Sequence, residues 1–166
     1  MKGNTSQLNW LDRHVDATLE VEPAVTTNPV DYYKNVPNVF ASLEKVHGAI
    51  DEHDLDRMLH HLVQLRASQI NACAYCVKMH TKEARDDGET NERLDRLAVW
   101  EHVNDFSAKE RAALGWTEAL TQLDRKTDYG ALRAELRQHF SDAEISALTA
   151  TIAMINLWNR IQVSTH

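Results

Sequence analysis

Apolar residues recur along most of this chain at the three- and four-residue spacing of an amphipathic helix. One such stripe consists of four leucines, Leu55, Leu59, Leu62 and Leu65. It predicts a helix that opens at Asp51 or Asp54 and runs to about Ser68. No stretch alternates between apolar and polar residues as a strand would, so the pattern predicts an all-α fold.

Capping residues and glycines mark the ends of the other predicted helices. They place helices at about 38–47, 72–87, 91–100, 107–123, 128–140 and 141–163. Capping boxes open the helices at 107–110 and 141–144. Asn38 is the expected cap of the first helix, and Phe40, Leu43 and Val46 are expected to face inward.

These elements predict one domain at 38–166, an antiparallel bundle of six to eight helices. Residues 1–37 form a preceding arm. All three prolines, Pro23, Pro29 and Pro37, fall in this arm, so most of it is expected to be irregular.

Charge and hydropathy exclude several classes of partner. The net charge is −7, and the lysines and arginines are dispersed among acidic residues, which argues against a nucleic-acid or anionic-membrane surface. The start of the chain leads into no apolar signal core, and the most apolar stretch, 147–158, is too short to span a bilayer. We therefore expect a cytoplasmic protein.

Residues 73–80 carry the only two cysteines, Cys73 and Cys76, with His80 four residues after the second. In a helix these positions (i, i+3 and i+7) share one face. They bring together two thiols able to condense and a base that can take a proton from them, which is the minimum apparatus for two-thiol redox chemistry. In a reducing compartment such a pair is more typical of catalysis or metal binding than of a structural disulfide.

The first turn of a helix stabilises a thiolate, and His80 lies where it can accept the proton of Cys76. Cys76 is therefore the expected attacking thiolate, and Cys73 is placed to resolve the sulfenic acid that forms. His60 and His61 on the preceding helix are candidates to complete a proton relay, although adjacent histidines are not expected to face the site together. Two alternatives stay open: the cysteines are simply small buried side chains, or with His61 and His80 they bind zinc.

Residues 62–84 strongly resemble the core motif of the carboxymuconolactone decarboxylase-like, alkyl hydroperoxidase D-like family. The similarity continues through 84–90, 106–114 and 155–160, and spans about 38–163. The resemblance implies an all-α fold that assembles as a homotrimer or hexamer. It implies a peroxidatic Cys76, a resolving Cys73, a relay role for His80, no metal and no organic cofactor. Electrons would come from a dithiol protein partner, thioredoxin-like or lipoyl-bearing.

This chain departs from the family pattern at two positions. The family relay usually has a glutamate twelve residues before the first cysteine, where this chain has His61. The best-known hydroperoxidases have a histidine immediately before the second cysteine, where this chain has Tyr75. A histidine can relay protons at neutral pH, so His61 stays in the expected site.

We therefore expect a cysteine-based peroxidase, or thiol–disulfide oxidoreductase, of antioxidant defence that reduces alkyl hydroperoxides. Cys76 attacks, Cys73 resolves, and His80 with His61 handles protons. Decarboxylase members of the family lack the cysteine pair, so the pair favours the redox branch. Two rivals remain, namely a lyase or isomerase acting on a small lactone-like acid, and a non-catalytic oligomer that uses the thiols to sense oxidants.

Overall fold

The computed structural model describes residues 27–53 and 55–165, and over these ranges the chain is a single all-helical domain without a strand. This confirms the predicted fold class. Eight α-helices and one 3₁₀ helix follow in order: α1 (Tyr32–Asn35), α2 (Pro37–Asp51), α3 (Arg57–Ile70), α4 (Ala74–Asp86), α5 (Asn91–Arg96), the 3₁₀ helix (Leu97–His102), α6 (Ala108–Gln122), α7 (Tyr129–Leu136) and α8 (Asp142–Val163).

Helix α3 is the centre of the domain and packs against α4, α6 and α8. Its residues Leu59 and Val63 lie in a core cluster with α6, α7 and α8. Leu62 and Leu65 point into a second cluster with α4, α5 and the 3₁₀ helix. Each such side chain contributes about 1.5–3 kcal/mol on burial, so α3 is held from two sides and forms a rigid base for α4.

Helices α3 and α4 form an antiparallel hairpin. The chain reverses through Ala72, whose φ of 53° lies in the left-handed region. At the other end of the hairpin, Arg57 and His61 near the start of α3 contact Asp87 just after α4. The predicted antiparallel placement of these two helices is therefore confirmed.

Helix α2 differs from the prediction at both ends. It begins at Pro37, one residue before the predicted cap Asn38, because proline is favoured in the first helical position. It continues through Gly48 to Asp51. The expectation that Val46 faces inward is wrong, since Val46 is 38% exposed. The buried face follows Phe40 and Ile50 instead, and Val46 lies off that stripe.

Other helix ends shift by a few residues. Helix α3 is capped by Asp56, whose Oδ1 accepts from the N–H of Leu59 at 2.8 Å, and not by Asp51, which belongs to α2. The alternative cap, Asp54, lies outside the described residues. The segment predicted at 91–100 is a short α-helix followed by a 3₁₀ helix, and α7 ends at Leu136, before the predicted 140. Both predicted capping boxes are present.

Most of the N-terminal arm, residues 1–26, lies outside the described residues, whereas the short helix α1 falls within its last eleven positions. Across 27–53 and 55–165, no helix is both long enough and apolar enough to cross a membrane.

Candidate active site

Cys73 is the N-cap of α4, and Cys76 lies in its first turn. The two residues are joined by a disulfide, with their Cα atoms 5.3 Å apart. The turn of the helix sets this separation, because a cap and the third helical residue lie on the same side. Cys73 is fully buried and Cys76 is 3% exposed. The spacing of the cysteines in the sequence therefore already places them within bonding distance.

Cys76 borders a cavity of about 350 Å³ between α2, α4 and α8, which we call the aromatic cavity. Five rings contribute to its lining: Tyr33, His47, Tyr75, His80 and Trp158. Tyr33 and Tyr75 are both more than half exposed and so lie at its mouth. His80 and Gln64 also line this cavity.

A second cavity, of about 670 Å³, shares His80 and Gln64 with the aromatic cavity. We call it the polar cavity, because most of its lining is ionisable: Asp51, Arg57, His60, His61, Glu83, Asp86 and Asp87. Cys76 does not border it. The imidazole of His80 therefore stands between the cavity that contains the cysteine sulfur and a cavity lined by charged groups.

His80 lies four residues after Cys76 on α4 and is 4% exposed. Its Nδ1 lies 2.9 Å from Oε2 of Glu83, one turn further along the helix. Burial lowers the pKa of His80, and this effect outweighs the opposing effect of Glu83; the neighbouring His61 lowers it further. A neutral His80 can accept a proton at neutral pH, and its Nε2 is buried without a hydrogen-bond partner.

His61 is held on α3 by a carboxylate from α4. Its Nε2 lies 2.5 Å from Oδ2 of Asp87, and the Nε of Arg57 lies 2.6 Å from the same oxygen. The hydrogen bond to His61, together with Arg57, holds the pKa of Asp87 below its usual value, so the carboxylate is ionised. The other ring nitrogen of His61, Nδ1, is buried without a partner.

The four residues singled out in the sequence are connected by the disulfide and by the two cavities. Cys73 is bonded to Cys76, Cys76 and His80 border the aromatic cavity, and His80 and His61 border the polar cavity. His60 also borders the polar cavity, which Cys76 does not border, so the expectation that adjacent histidines do not face the thiols together stays a prediction. The cavity is wide enough to reach both, and their rings are nearly perpendicular at 6.3 Å between centroids.

Sequence reasoning did not single out Glu83, Asp87, His47 or Gln64 as site residues. The contact between Glu83 and His80 could have been predicted from the sequence, because a carboxylate three residues after a histidine on one helix can reach it. The contact between Asp87 and His61 could not, since it joins two different helices.

The zinc alternative requires His61 and His80 to turn their nitrogens toward the cysteines together. Within the part of the chain that the structure describes, no group of three or more His, Cys, Asp or Glu side chains is arranged to hold a metal ion. In both histidines one ring nitrogen is already bound to a carboxylate.

The fold and the site define an all-helical domain with a disulfide-bonded cysteine pair at a helix N-terminus. The chain belongs to the carboxymuconolactone decarboxylase family, whose model matches residues 37–119. It is 32% identical to YdfG of Bacillus subtilis strain 168 over 135 aligned residues. The alignment covers 81% of this chain and 92% of YdfG.

Among solved structures, the chain is similar to Atu0492 of Agrobacterium tumefaciens, with 37% identity and a TM-score of 0.78 over 84% of this chain and 95% of that one. Atu0492 is a protein of unknown function for which the role of the antioxidant defence protein AhpD has been suggested. The debrominase Bmp8 is 18% identical, with a TM-score of 0.69 over 78% of this chain and 69% of Bmp8, and shares the fold alone. The family takes its name from a decarboxylase, and the antioxidant role is one suggested for Atu0492.

Proposed function

We propose that this protein is a cysteine-based peroxidase of antioxidant defence that reduces organic hydroperoxides through Cys73 and Cys76. The observation that carries the proposal is the position of Cys76. It is bonded to Cys73 at a helix N-terminus, next to His80, and it borders the aromatic cavity. A nucleophile, its resolving partner, a base and a space for an apolar substrate therefore meet at one sulfur atom.

The reaction begins from the reduced pair. His80 takes the proton of the Cys76 thiol, and the free N–H groups of the first turn of α4 stabilise the thiolate. The thiolate attacks the outer oxygen of the hydroperoxide, the O–O bond breaks, and the leaving alkoxide takes the proton from His80. The Cys73 thiol then attacks the sulfenic acid on Cys76, which releases water and forms the disulfide.

The lining of the aromatic cavity favours organic hydroperoxides over hydrogen peroxide. Rings and aliphatic side chains from Tyr33, Met79, Ile155 and Trp158 surround the approach to Cys76. An alkyl or aryl group gains about 25 cal/mol for each Å² of apolar surface that it buries there, whereas hydrogen peroxide has no such group.

A dithiol returns the enzyme to its reduced form. Because Cys73 is fully buried, the dithiol must attack Cys76, which borders the cavity. This attack frees the Cys73 thiolate, and the second thiol of the reductant then resolves the mixed disulfide and frees Cys76. A slim lipoyl arm fits this route better than the flat surface of a thioredoxin-like protein.

The test is a single turnover of the reduced protein with one equivalent of cumene hydroperoxide. We expect two thiols to be lost for each molecule of cumyl alcohol formed, with an intramolecular disulfide located by mass spectrometry. Cys73→Ser should stop at the sulfenic acid, which dimedone traps on Cys76, and Cys76→Ser should not react. The serine variants are matched controls because each replaces one sulfur by oxygen.

The rivals give different results in the same assay. A lyase acting on a lactone-like acid would keep its activity in Cys76→Ser and would leave the hydroperoxide unconsumed. A redox sensor would form the disulfide once, but it would not turn over when a dithiol is supplied. Either outcome would exclude the peroxidase.

A further inference from the structure

Two buried imidazoles in the site have the same arrangement. In His61 and in His80, one ring nitrogen faces a carboxylate and the other is buried without a partner. A carboxylate only accepts hydrogen bonds, so the nitrogen that faces it carries the proton. In the neutral ring the inner nitrogen is then an acceptor, which gives Nδ1 of His61 and Nε2 of His80 free lone pairs.

These two atoms are exceptional among the described residues. Across 27–53 and 55–165, only three buried side-chain nitrogen or oxygen atoms lack a partner, and two of them belong to this histidine pair. Leaving such an atom unpaired is unfavourable, so each of the two nitrogens is available to accept a proton. In the oxidised protein Cys76 has no proton to share, whereas after reduction its thiol can supply one to Nε2 of His80.

We propose that Asp87 is a positioning residue that holds His61 as a second proton acceptor behind His80. Its carboxylate accepts a hydrogen bond from Nε2–H of His61 and so leaves the buried Nδ1 as the acceptor nitrogen. His61 and His80 both border the polar cavity. When Cys76 ionises, its proton passes to Nε2 of His80, and Nδ1 of His61 is the next acceptor on the lining of the same cavity. The proton returns to the alkoxide that leaves, so the cycle is balanced.

This assignment rests on the proposed function, because a proton acceptor for Cys76 matters in turnover only if the thiolate attacks a substrate. The groups that face the histidine pair come from three helices. They are His47 and Asp51 on α2, Arg57 and His60 on α3, and Glu83, Asp86 and Asp87 on or next to α4. Among these, the carboxylate that contacts His61 is that of Asp87.

Asp86 provides a matched control for Asp87. Both aspartates border the polar cavity, but Asp86 pairs with the exposed Lys82 and has no contact with His61. Asp86→Asn and Asp87→Asn therefore remove the same charge from the same cavity, and only Asp87→Asn releases His61.

The experiment measures the rate at which iodoacetamide alkylates Cys76 in the reduced full-length protein between pH 5 and 10, with mass spectrometry to separate the two cysteines. We expect Asp87→Asn to slow alkylation at pH 7 by about five- to tenfold and to reach the wild-type rate at high pH, where the thiol ionises unaided. Asp86→Asn should change the rate less than about twofold. His61→Gln should reproduce Asp87→Asn, and the double variant should be no slower than His61→Gln.

A purely structural role of Asp87 would change the rate equally at all pH values, or not at all, and would overturn the assignment. Equal effects of Asp86→Asn and Asp87→Asn would also overturn it. If Asp87→Asn shifts the profile while the wild-type protein consumes no hydroperoxide, the positioning role stands and the peroxidase proposal fails. Circular dichroism of each variant checks that the fold is retained. If Asp87→Asn does not fold, His61→Gln tests the role of His61 as a proton acceptor instead.

Discussion

The indole Nε1 of Trp158 donates a hydrogen bond to Nε2 of His47 at 2.7 Å, and this bond joins α8 to α2 across the aromatic cavity. The two rings are also nearly parallel, with their centroids 6.0 Å apart. An indole N–H can only donate, so His47 accepts, and the bonded pair forms part of the wall of the cavity that Cys76 borders. The shape of the proposed substrate site thus depends on the packing of the last helix against the second.

Removal of this wall should affect organic substrates selectively. Trp158→Ala exposes the apolar part of a bound substrate to water, which costs about 1.5–3 kcal/mol, and should raise KM for cumene hydroperoxide by about ten- to a hundredfold. Trp158→Phe keeps a ring and loses only the bond to His47, so we expect a change of a few-fold. The measurement is steady-state turnover with dithiothreitol as reductant. An equal loss of activity with hydrogen peroxide would contradict a role in substrate binding.

A buried amide network holds the turn that precedes the cysteines. Asn71 donates to Oδ1 of both Asn156 and Asn159 at 2.9 Å, and Asn159 in turn donates to Oγ of Ser68 at 3.0 Å. Asn159 is fully buried. Helix α8 is therefore tied to the end of α3 and to the turn that begins α4.

Asn159→Leu should be among the most destabilising single changes in this region. It removes one of the two acceptors of the Asn71 amide and the donor to Oγ of Ser68, and we expect a loss of about 2–4 kcal/mol in the free energy of unfolding. Ser68→Ala removes one partner only and should cost about 1–2 kcal/mol. Urea unfolding followed by circular dichroism measures both. Similar stabilities for Asn159→Leu and wild type would show that the network contributes little.

Leu123 ends α6 with a φ of 55°, a backbone conformation that favours glycine, and its side chain is 60% exposed. Because little apolar burial is lost, Leu123→Gly should raise the free energy of unfolding by about 1 kcal/mol. Val46→Gly, at an exposed position inside α2, is the control and should lower it by about 1 kcal/mol. Thermal unfolding of the two variants distinguishes them by sign, and a lower stability of Leu123→Gly would refute the conformational argument.

Local signals in the sequence predicted much of this fold. The leucine stripe of α3 and the capping boxes at Ser107 and Ser141 depend on residues within one or two turns of each other. Both boxes are present as predicted. Leu59, Leu62 and Leu65 of the stripe are buried on α3, whereas Leu55 precedes the helix. The start of α2 was missed because Pro37 at the first helical position competes with the cap expected at Asn38. The direction of Val46 was missed because it depends on which side of α2 meets α8.

In the candidate site too, contacts within one helix could be predicted from the sequence and contacts between helices could not. The cysteines and His80 share a helix, so their spacing alone predicted their common face. The contact between His61 and Asp87 depends on the register of α3 against α4, and the contact between Trp158 and His47 spans 111 positions. Neither leaves a periodic pattern in the sequence. His61 occupies the glutamate position of the family motif, and its contact with the Asp87 carboxylate was not predicted.

The stability of the protein should fall as the solution is acidified below the ordinary histidine pKa of 6.5. Burial lowers the pKa of His80 and of His60, so between their folded and unfolded values the unfolded chain binds more protons. The free energy of unfolding is therefore highest above pH 6.5 and decreases as the pH falls through the folded pKa values of the two histidines. Asp87, with its lowered pKa, adds a second decrease below its ordinary value of 3.8.

Urea unfolding at pH 7.5 and pH 5.5 measures the histidine contribution. His80→Gln should reduce the difference between the two conditions, whereas His53→Gln, at an exposed position, should leave it unchanged. A pH difference that survives in the double variant His60→Gln/His80→Gln would assign the effect to other groups.

A substitution of Arg57 should change the alkylation rate of Cys76 in the direction opposite to Asp87→Asn, and so tests the contact between Asp87 and His61 independently. Its Nε shares Oδ2 of Asp87 with His61, and its side chain is 77% exposed. Arg57→Gln leaves the carboxylate to His61 alone and removes a cation from the rim of the polar cavity. Arg57 does not border the aromatic cavity, so solvent screens its direct effect on the Cys76 thiolate.

We therefore expect Arg57→Gln to speed the alkylation of Cys76 at pH 7 by about twofold, the size of an exposed ion pair, whereas Asp87→Asn slows it. Arg57→Lys keeps the charge and should behave as the wild type. The comparison is best made at low and at high salt, because the effect of Arg57 should shrink as the ionic strength rises. Slower alkylation in Arg57→Gln would mean that Arg57 supports the proton acceptor instead of competing with it for Asp87.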